Sequence, residues 1–362
     1  MYLTRLEARD FRNYRHIDLR PHPGLNIICG ANAQGKTNFL EAICTVLRGF
    51  SFRTSRGADM IRWQARQAVV KGEVATATGS NLLEIMIDPQ GKKVAVGGQP
   101  VAKHALARFL GVVVFTPEDL WLIKGGPGER RRFIDLELGF LSPDYWNLVR
   151  DFRRALSQRN SLLKNGQTRG DLFDLWTRQF CDYAGRLLAY RLHVLKKFAP
   201  YVRRCFRALG GEELSLRYVS SIEISGDDPG ELSATLYHNL QKQREDDLRY
   251  HRTGIGPHRD DLAFYLNGKD ARVYASQGQQ RSIVLALKWG QVDLWQDHTG
   301  ETPVVLLDDV MSELDYQRRN RLMETLRERA QIFLTAGELE ESAKKMGGKV
   351  FLVHQGTIRE EG

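Results

Sequence analysis

The 362-residue sequence predicts an α/β fold interrupted by a block of helices. Three observations carry that prediction. An apolar run, "LNIIC", enters a glycine-bounded loop and is followed by Phe39, Leu40, Ile43, Val46, Leu47 and Phe50 at helical spacing. From Glu129 to about Leu209 the chain repeats Leu, Trp and Phe three and four positions apart. Late in the chain a second apolar run, "TPVVLLDDV", ends in two aspartates.

The elements follow in order. "YLTRLEARDF", "RHIDLRP" and "LNIIC" read as short strands separated by turn residues such as Pro21, Pro23 and Gly24. Past the first helix, "NLLEIMID", the turn "PQGKK", "VAVGGQPV" and "VVVFTP" predict a hairpin-rich lobe ending near Pro117. The segment "LFDLWTRQFCDYAGRLLAYRLHVLKKFA" predicts one extended helix, with Leu172, Trp176, Tyr183, Leu187, Tyr190 and Val194 along one packing stripe. A strand at "LSLRYVSS" precedes a helical stretch from Pro229 to about Arg252. Strands return at "DLAFYL" and "ARVYA", joined by the turn "NGKD". The expected organisation is one α/β domain from residues 1–118 and 251–362, with residues 119–250 inserted as a mainly helical arm.

Composition bounds the function. Hydrophobic and charged contents of 42% and 27% are those of a globular protein. Lys and Arg number 53 against 44 Asp and Glu, and the resulting +9 favours a polyanionic partner. Cys29, Cys44, Cys181 and Cys205 form no C-x-x-C pair, which points to buried thiols in a reducing compartment. The N-terminal "MYLTRLEARDFRNYR" lacks a signal peptide's apolar core, and no apolar run reaches the ~20 residues of a membrane helix. A soluble cytoplasmic protein is expected.

The loop after "LNIIC" has the form G-x-x-x-x-G-K-[ST], with Gly30, Gly35, Lys36 and Thr37 at the fixed positions. Its inward N–H groups and the positive end of the following helix make a nest for phosphate. Lys36 would meet the β- and γ-phosphates and the Thr37 hydroxyl would ligate Mg²⁺. Gly30, Ala31, Asn32, Ala33, Gln34, Gly35, Lys36, Thr37 and Asn38 are the candidate nucleotide-binding residues. An ordinary glycine-rich turn would not need the lysine and threonine. In P-loop proteins a strand such as "TPVVLLDDV" delivers a carboxylate to Mg²⁺. Asp308 fits that task through a water, and Asp309 stands next to orient or deprotonate an attacking water. By itself the pair could equally be a helix N-cap.

"SQGQQRS", at residues 276 to 282, begins another apolar helix and by itself reads either as a capped helix start or as a second anion site, although the chain already holds a P-loop. Ser276, Gln277, Gly278, Gln279 and Gln280 resemble the signature motif of ABC-type ATPases, and "SELD", Ser312 to Asp315, resembles their D-loop. A wider set of segments, "LEARDFRNYRHIDL", "GANAQGKTNFLEAI", "GFSFRTSR", "GGPGERRRFID", "GPHRDDL", "SQGQQRS" and "LLDDVMSELD", resembles the RecF family of SMC-like recombination mediators across nearly the whole chain. The resemblance implies an α/β ABC-type (SMC/RecF-like) P-loop ATPase head with an inserted helical domain. It also implies a homodimer closing around two ATP with Mg²⁺, in which Ser276, Gly278 and Gln279 complete the partner's site. The family's setting is double-stranded DNA at gapped junctions, with RecR and RecO helping to load RecA. The same resemblance leaves the adenine contacts open, with Arg12 and Arg53 as candidates.

Departures from the ABC pattern temper the expected rate. Asp309 stands where glutamate is usual, "IFLTAGE" offers Thr335 where a switch histidine is expected, and "FTPEDL" offers only Glu118 or Asp119 for a Q-loop glutamine. Each tenfold loss in rate needs only ~1.4 kcal/mol, so slow hydrolysis is expected. An ABC transporter subunit is the alternative, but there the signature follows the P-loop sooner and reads LSGGQ. A nucleotide-binding scaffold without catalysis is a further alternative. Basic clusters at "ERRRF", "VRDFRRALSQR" and "LKKFAPYVRRCFR" suit sequence-independent phosphate contacts, and each could instead solvate a helix face.

Overall fold

The computed structural model describes residues 1–102, 106, 110–142, 144–311, 314–337 and 347–361. The chain forms two compact units, one from Met1–Asp119 with Leu287–Gly362 and the other from Leu120–Ala286.

In the first unit, strands β1 (Tyr2–Phe11), β2 (Tyr14–Leu19) and β3 (Leu25–Cys29) lead into helix α1 (Lys36–Arg48). They are followed by β4 (Ala68–Thr76), β5 (Gly79–Asp88), β6 (Gly91–Val96), β7 (Gln99–Val101) and β8 (Val112–Phe115). One sheet is antiparallel, in the order β2-β1-β4-β5-β6-β7. Alternation of buried and half-exposed residues along β4 marks it as a one-sided sheet. Strand β4 was not among the strands that the sequence pattern predicts, because Gly72 interrupts its apolar face. A Cβ there would press to 3.1 Å from Leu3 and Val46, so helix and sheet pack directly on the glycine.

The second unit contains α2 (Trp121–Lys124), α3 (Pro127–Glu137), α4 (Tyr145–Lys164), α5 (Asp171–Ala208), β9 (Leu214–Val219), α6 (Pro229–Lys242) and α7 (Arg244–Tyr250). Next come β10 (Asp261–Leu266), β11 (Lys269–Asp270), α8 (Ala271–Tyr274) and the start of α9 (Gln277–Thr299). The extended helix is present as α5, of 38 residues. Its packed face runs through Phe173, Phe180, Ala184, Leu187, Leu188 and Val194, whereas Leu172 is 56% exposed. The predicted stripe was thus correct at Leu187 and Val194 and rotated off the core at Leu172. "ARVYA" is a helical turn rather than a strand, because the Asp270 side chain accepts the Arg272 N–H and caps it.

The motif-based boundary at residue 251 differs from the packing boundary at 286. β10 pairs antiparallel with β9, which draws residues 251–286 into the second compact unit. The first unit resumes at Leu287 within α9 and continues through β12 (Val304–Leu307), α10 (Tyr316–Arg327), β13 (Ile332–Ala336), β14 (Lys349–His354) and β15 (Thr357–Glu360). These complete its second sheet, β15-β14-β3-β13-β12-β8. Every pairing there is parallel except β14 with β15. β3, β8 and β12 are buried at every position, as apolar runs in a covered parallel sheet must be. The four cysteines are buried free thiols.

Candidate nucleotide site

The P-loop leaves β3, enters α1, and is held by contacts from three directions. Gly30 cannot carry a side chain, since a Cβ would sit 2.4 Å from the Val353 carbonyl oxygen of β14. Gly35 adopts φ 125 and its carbonyl accepts from the buried Tyr14 hydroxyl at 3.0 Å. The Gln34 carbonyl accepts from Asn13 Nδ2 at 2.9 Å and from the Gly356 N–H at 3.2 Å, while its side-chain oxygen accepts the Gln355 N–H at 2.7 Å. Turns between β1 and β2 and between β14 and β15 therefore clasp the loop. Lys36 Nζ donates to the carbonyls of Gly30 at 2.6 Å and Ala31 at 3.1 Å, folded back onto its own loop.

The two aspartates arrive from β12, two strands away in the sheet order, with β13 between. Thr37 Oγ1 donates to Asp308 Oδ1 at 3.1 Å, joining the P-loop to the acidic strand end. Thr335, at the end of β13, completes the group. Its hydroxyl lies 3.1 Å from the same Asp308 oxygen and accepts the Asp309 N–H at 2.8 Å. Asp309 is exposed and takes φ 54, a left-handed conformation that aspartate tolerates better than most residues. Burial raises the Asp308 pKa, the Thr37 and Thr335 hydroxyls lower it, and the charges of Asp309 and Glu118 raise it again.

Asn32, Ala33, Gly35, Lys36, Thr37, Asn38, Arg53, Asp308, Asp309 and Thr335 line one open cleft of about 320 Å³. Negative charge gathered at Asp308 beside Asp309 and Glu118 suits a divalent cation. Among the described residues no cluster of three or more such side chains could hold a metal alone. That combination fits Mg²⁺, which takes one or two protein groups and leaves its other positions to phosphate oxygens and water.

The remaining candidates fall as follows. Arg53 lines the cleft and donates to Asn38 Oδ1 at 2.7 Å. Arg12 pairs with the fully buried Glu41 at 2.6 and 2.8 Å, and Arg53 reaches the same carboxylate at 3.4 Å. Asp119 is committed to Lys288 at 2.9 Å and to its own turn, whereas Glu118 is exposed. Glu118 is therefore the better placed of the two proposed Q-loop substitutes. Ser276, Gly278 and Gln279 belong to the second unit. Ser276 Oγ accepts the Gln279 N–H at 3.3 Å, and Gln279 Oε1 accepts the Ser276 N–H at 2.8 Å. This reciprocal capping box fixes the start of α9. Of the resembled D-loop, Ser312 and Glu313 lie outside the described residues, and Asp315 caps α10 through the Arg318 N–H.

Two arginines counted among the basic clusters have other duties. Arg130 is buried against Asp261 at 2.7 Å, and Arg159 is buried against Asp247 at 2.8 Å. Both are withdrawn from any polyanion surface. Arg153, Arg154, Lys196, Lys197, Arg203 and Arg204 are exposed.

Fold and site define an SMC-like P-loop ATPase head. The RecF/RecN/SMC N-terminal domain model matches residues 2–358. The DNA replication and repair protein RecF of Desulforudis audaxviator is 50% identical over 363 residues, covering 100% of both chains. That of Streptococcus suis is 39% identical, covering 99% of this chain and 100% of its own. The solved structure of the recombination mediator protein RecF-ATP in the RecFOR pathway superposes with a TM-score of 0.92 at 32% identity, covering 100% of this chain and 98% of that one. An Smc head bound to the C-winged helix domain of ScpA shares the fold at 17% identity and a TM-score of 0.56, covering 100% of this chain and 97% of that one. The chain belongs to the RecF family.

Among the described residues no helix is long and apolar enough to cross a membrane.

Proposed function

We infer that this protein is a cytoplasmic ATP-dependent DNA-binding protein of recombinational repair and replication, which closes as a homodimer around two ATP and hydrolyses them slowly. The observation that carries the reading is the Thr37–Asp308–Thr335–Asp309 chain of hydrogen bonds in one cleft with Lys36. It unites the phosphate loop with an acidic pair, as nucleotide hydrolysis requires and a plain anion site does not.

ATP is the substrate. Its β- and γ-phosphates would draw Lys36 from the loop carbonyls and accept the N–H groups between Ala31 and Thr37. Mg²⁺, held by the Thr37 hydroxyl and through water by Asp308, would neutralise charge on the phosphate oxygens. Thr335 holds Asp308 and the Asp309 backbone together, and Asp309 would accept the proton of the attacking water. The shorter aspartate and a threonine in place of a histidine support slow turnover, suited to a timer.

Ser276, Gly278 and Gln279 would cap the γ-phosphate of a second copy, because a single P-loop already satisfies one nucleotide. Loading of RecA at gapped duplex DNA with RecR and RecO is the cellular role supported by family membership. Filter binding of random-sequence duplex with and without ATP tests the reading. Affinity should rise with ATP and fall steeply from low to moderate salt. Binding indifferent to both would refute it.

A further inference from the structure

Trp63 is 84% exposed, the most exposed large apolar side chain among the described residues. It is presented rather than loose. The Arg62 N–H donates to the Asp10 carbonyl at 2.8 Å, the Arg62 side chain reaches Asp10 Oδ1 at 2.6 Å, and the Ala65 N–H donates back to the Arg62 carbonyl at 2.9 Å. Gln64, third in that four-residue turn, takes φ 69, the sign that a type II turn requires and that glutamine disfavours. An antiparallel bridge between Phe11 and Ile61 pins the preceding residues to β1. The turn thus holds the indole outward, where collapse onto the sheet would have hidden apolar area from water.

The surroundings say what would cover it. Residues 51–66 hold four arginines against the single acid Asp59; Arg53 and Arg62 pair with Glu41 and Asp10 from outside the segment, which leaves Arg56, 4.0 Å from Asp59, and Arg66. Arg56 keeps 80% of its side chain exposed and Arg66 is exposed. An exposed indole in a segment that also carries two exposed arginines matches a flat aromatic group bearing phosphate. Bases inside a continuous duplex are already stacked on each other, so the indole can take only one that lacks a neighbour.

We propose that Trp63 is a stacking platform for an unpaired nucleobase, with Arg56 and Arg66 meeting the adjoining phosphates, so that this face of the first unit distinguishes single-stranded or gapped DNA from continuous duplex. This rests on the DNA-binding reading above. It adds a residue and a strand preference that the phosphate contacts alone do not supply.

The test measures fluorescence anisotropy of the full-length protein with ATP on three probes: oligo-dT, a gapped duplex and a blunt continuous duplex. Trp63→Ala should weaken oligo-dT and gapped DNA about tenfold, leave continuous duplex within about twofold, and leave the melting temperature unchanged. Trp63→Phe should restore most of the loss, while Arg66→Glu should weaken all three probes. Equal effects of Trp63→Ala on all probes, or none, would overturn the proposal. So would a variant that binds DNA normally yet loses ATP-dependent association in sedimentation, which would give the patch to a second copy of this chain. Wild-type protein that binds none of the probes would sink the DNA reading and this inference together. Wild-type binding with an indifferent Trp63→Ala sinks the stacking alone.

Discussion

Thr335→Val is the perturbation from which the site geometry yields the most. Valine matches threonine in shape but removes a hydroxyl that meets Asp308 Oδ1 at 3.1 Å, the Asp309 N–H at 2.8 Å and, at the longer distance of 3.5 Å, the Leu307 carbonyl. Thr335 is 3% exposed, so water does not readily replace it. An N–H left without its acceptor costs about 1–3 kcal/mol, and loss of a bond to a carboxylate costs about as much, softened here because Thr37 still donates to Asp308. A destabilisation of about 3 kcal/mol follows, or a melting temperature lower by about 5 °C in a chain of this size. Hydrolysis should suffer more than binding. Asp309 sits at φ 54, and without the threonine acceptor its backbone is free to relax and swing the carboxylate off line. Turnover should fall tenfold or more while ATP affinity stays within about threefold, and Thr335→Ser should keep most of both. Calorimetry and single-turnover hydrolysis read the two quantities separately. A Thr335→Val protein that melts and turns over like wild type would show that the hydroxyl holds nothing together.

Other perturbations give distinct outcomes. Gly30→Ala places a Cβ 2.4 Å from the Val353 carbonyl, so the loop must move and ATP binding should drop at least tenfold in equilibrium titration. Asp308 has its pKa raised by burial, so its ionisation opposes folding: the penalty is absent below the ordinary carboxylate range and fully present above the folded pKa. Asp308→Asn should therefore raise the melting temperature at neutral pH while abolishing Mg²⁺-dependent hydrolysis, a pairing that a purely structural aspartate would not give. Burial pushes His258 down to about 4, helped by the charges of Arg259, Arg131 and Arg159 and opposed by the Thr253 carbonyl. The unfolded chain then takes up that proton first, so stability should fall by up to about 3 kcal/mol as pH drops from about 6.5 to 4. A pH series of denaturation midpoints with His258→Gln, which should flatten that limb, checks the sign. Asp309→Asn should bind ATP normally and hydrolyse it at least tenfold more slowly in a stopped assay.

Local signals were the legible ones. The strand, glycine loop and helix at residues 25–48 are contiguous, so their order in the sequence is their order in space. Asp308 and Asp309 were identifiable because a phosphate loop upstream gives an apolar run ending in two acids a second meaning beside a helix cap. Thr335 was visible only as a histidine that was missing; its role depends on β13 lying between β3 and β12, a pairing across hundreds of residues. The same reason hid the duties of Arg130 and Arg159, whose partners Asp261 and Asp247 lie 131 and 88 positions away in the chain. Glu41 gave no signal at all, although its buried carboxylate binds Arg12, Arg53 and Ser51 beside the P-loop. A helix pattern reads such a glutamate as solvent-facing, and only the arginines that fold over it reverse that. Leu172 shows the opposite error, an apolar residue at the right spacing near a helix end where no partner remains to cover it.

In the proposed homodimer, one chain's P-loop and another's α9 start would meet across the same nucleotide. Sedimentation velocity with and without ATP, on wild type, Lys36→Met and Ser276→Arg, tests it most directly. ATP should convert wild type to a dimer, Lys36→Met should bind no ATP and stay monomeric, and Ser276→Arg should bind ATP yet also stay monomeric. An ATP-loaded Ser276→Arg protein that dimerises as wild type does would contradict it.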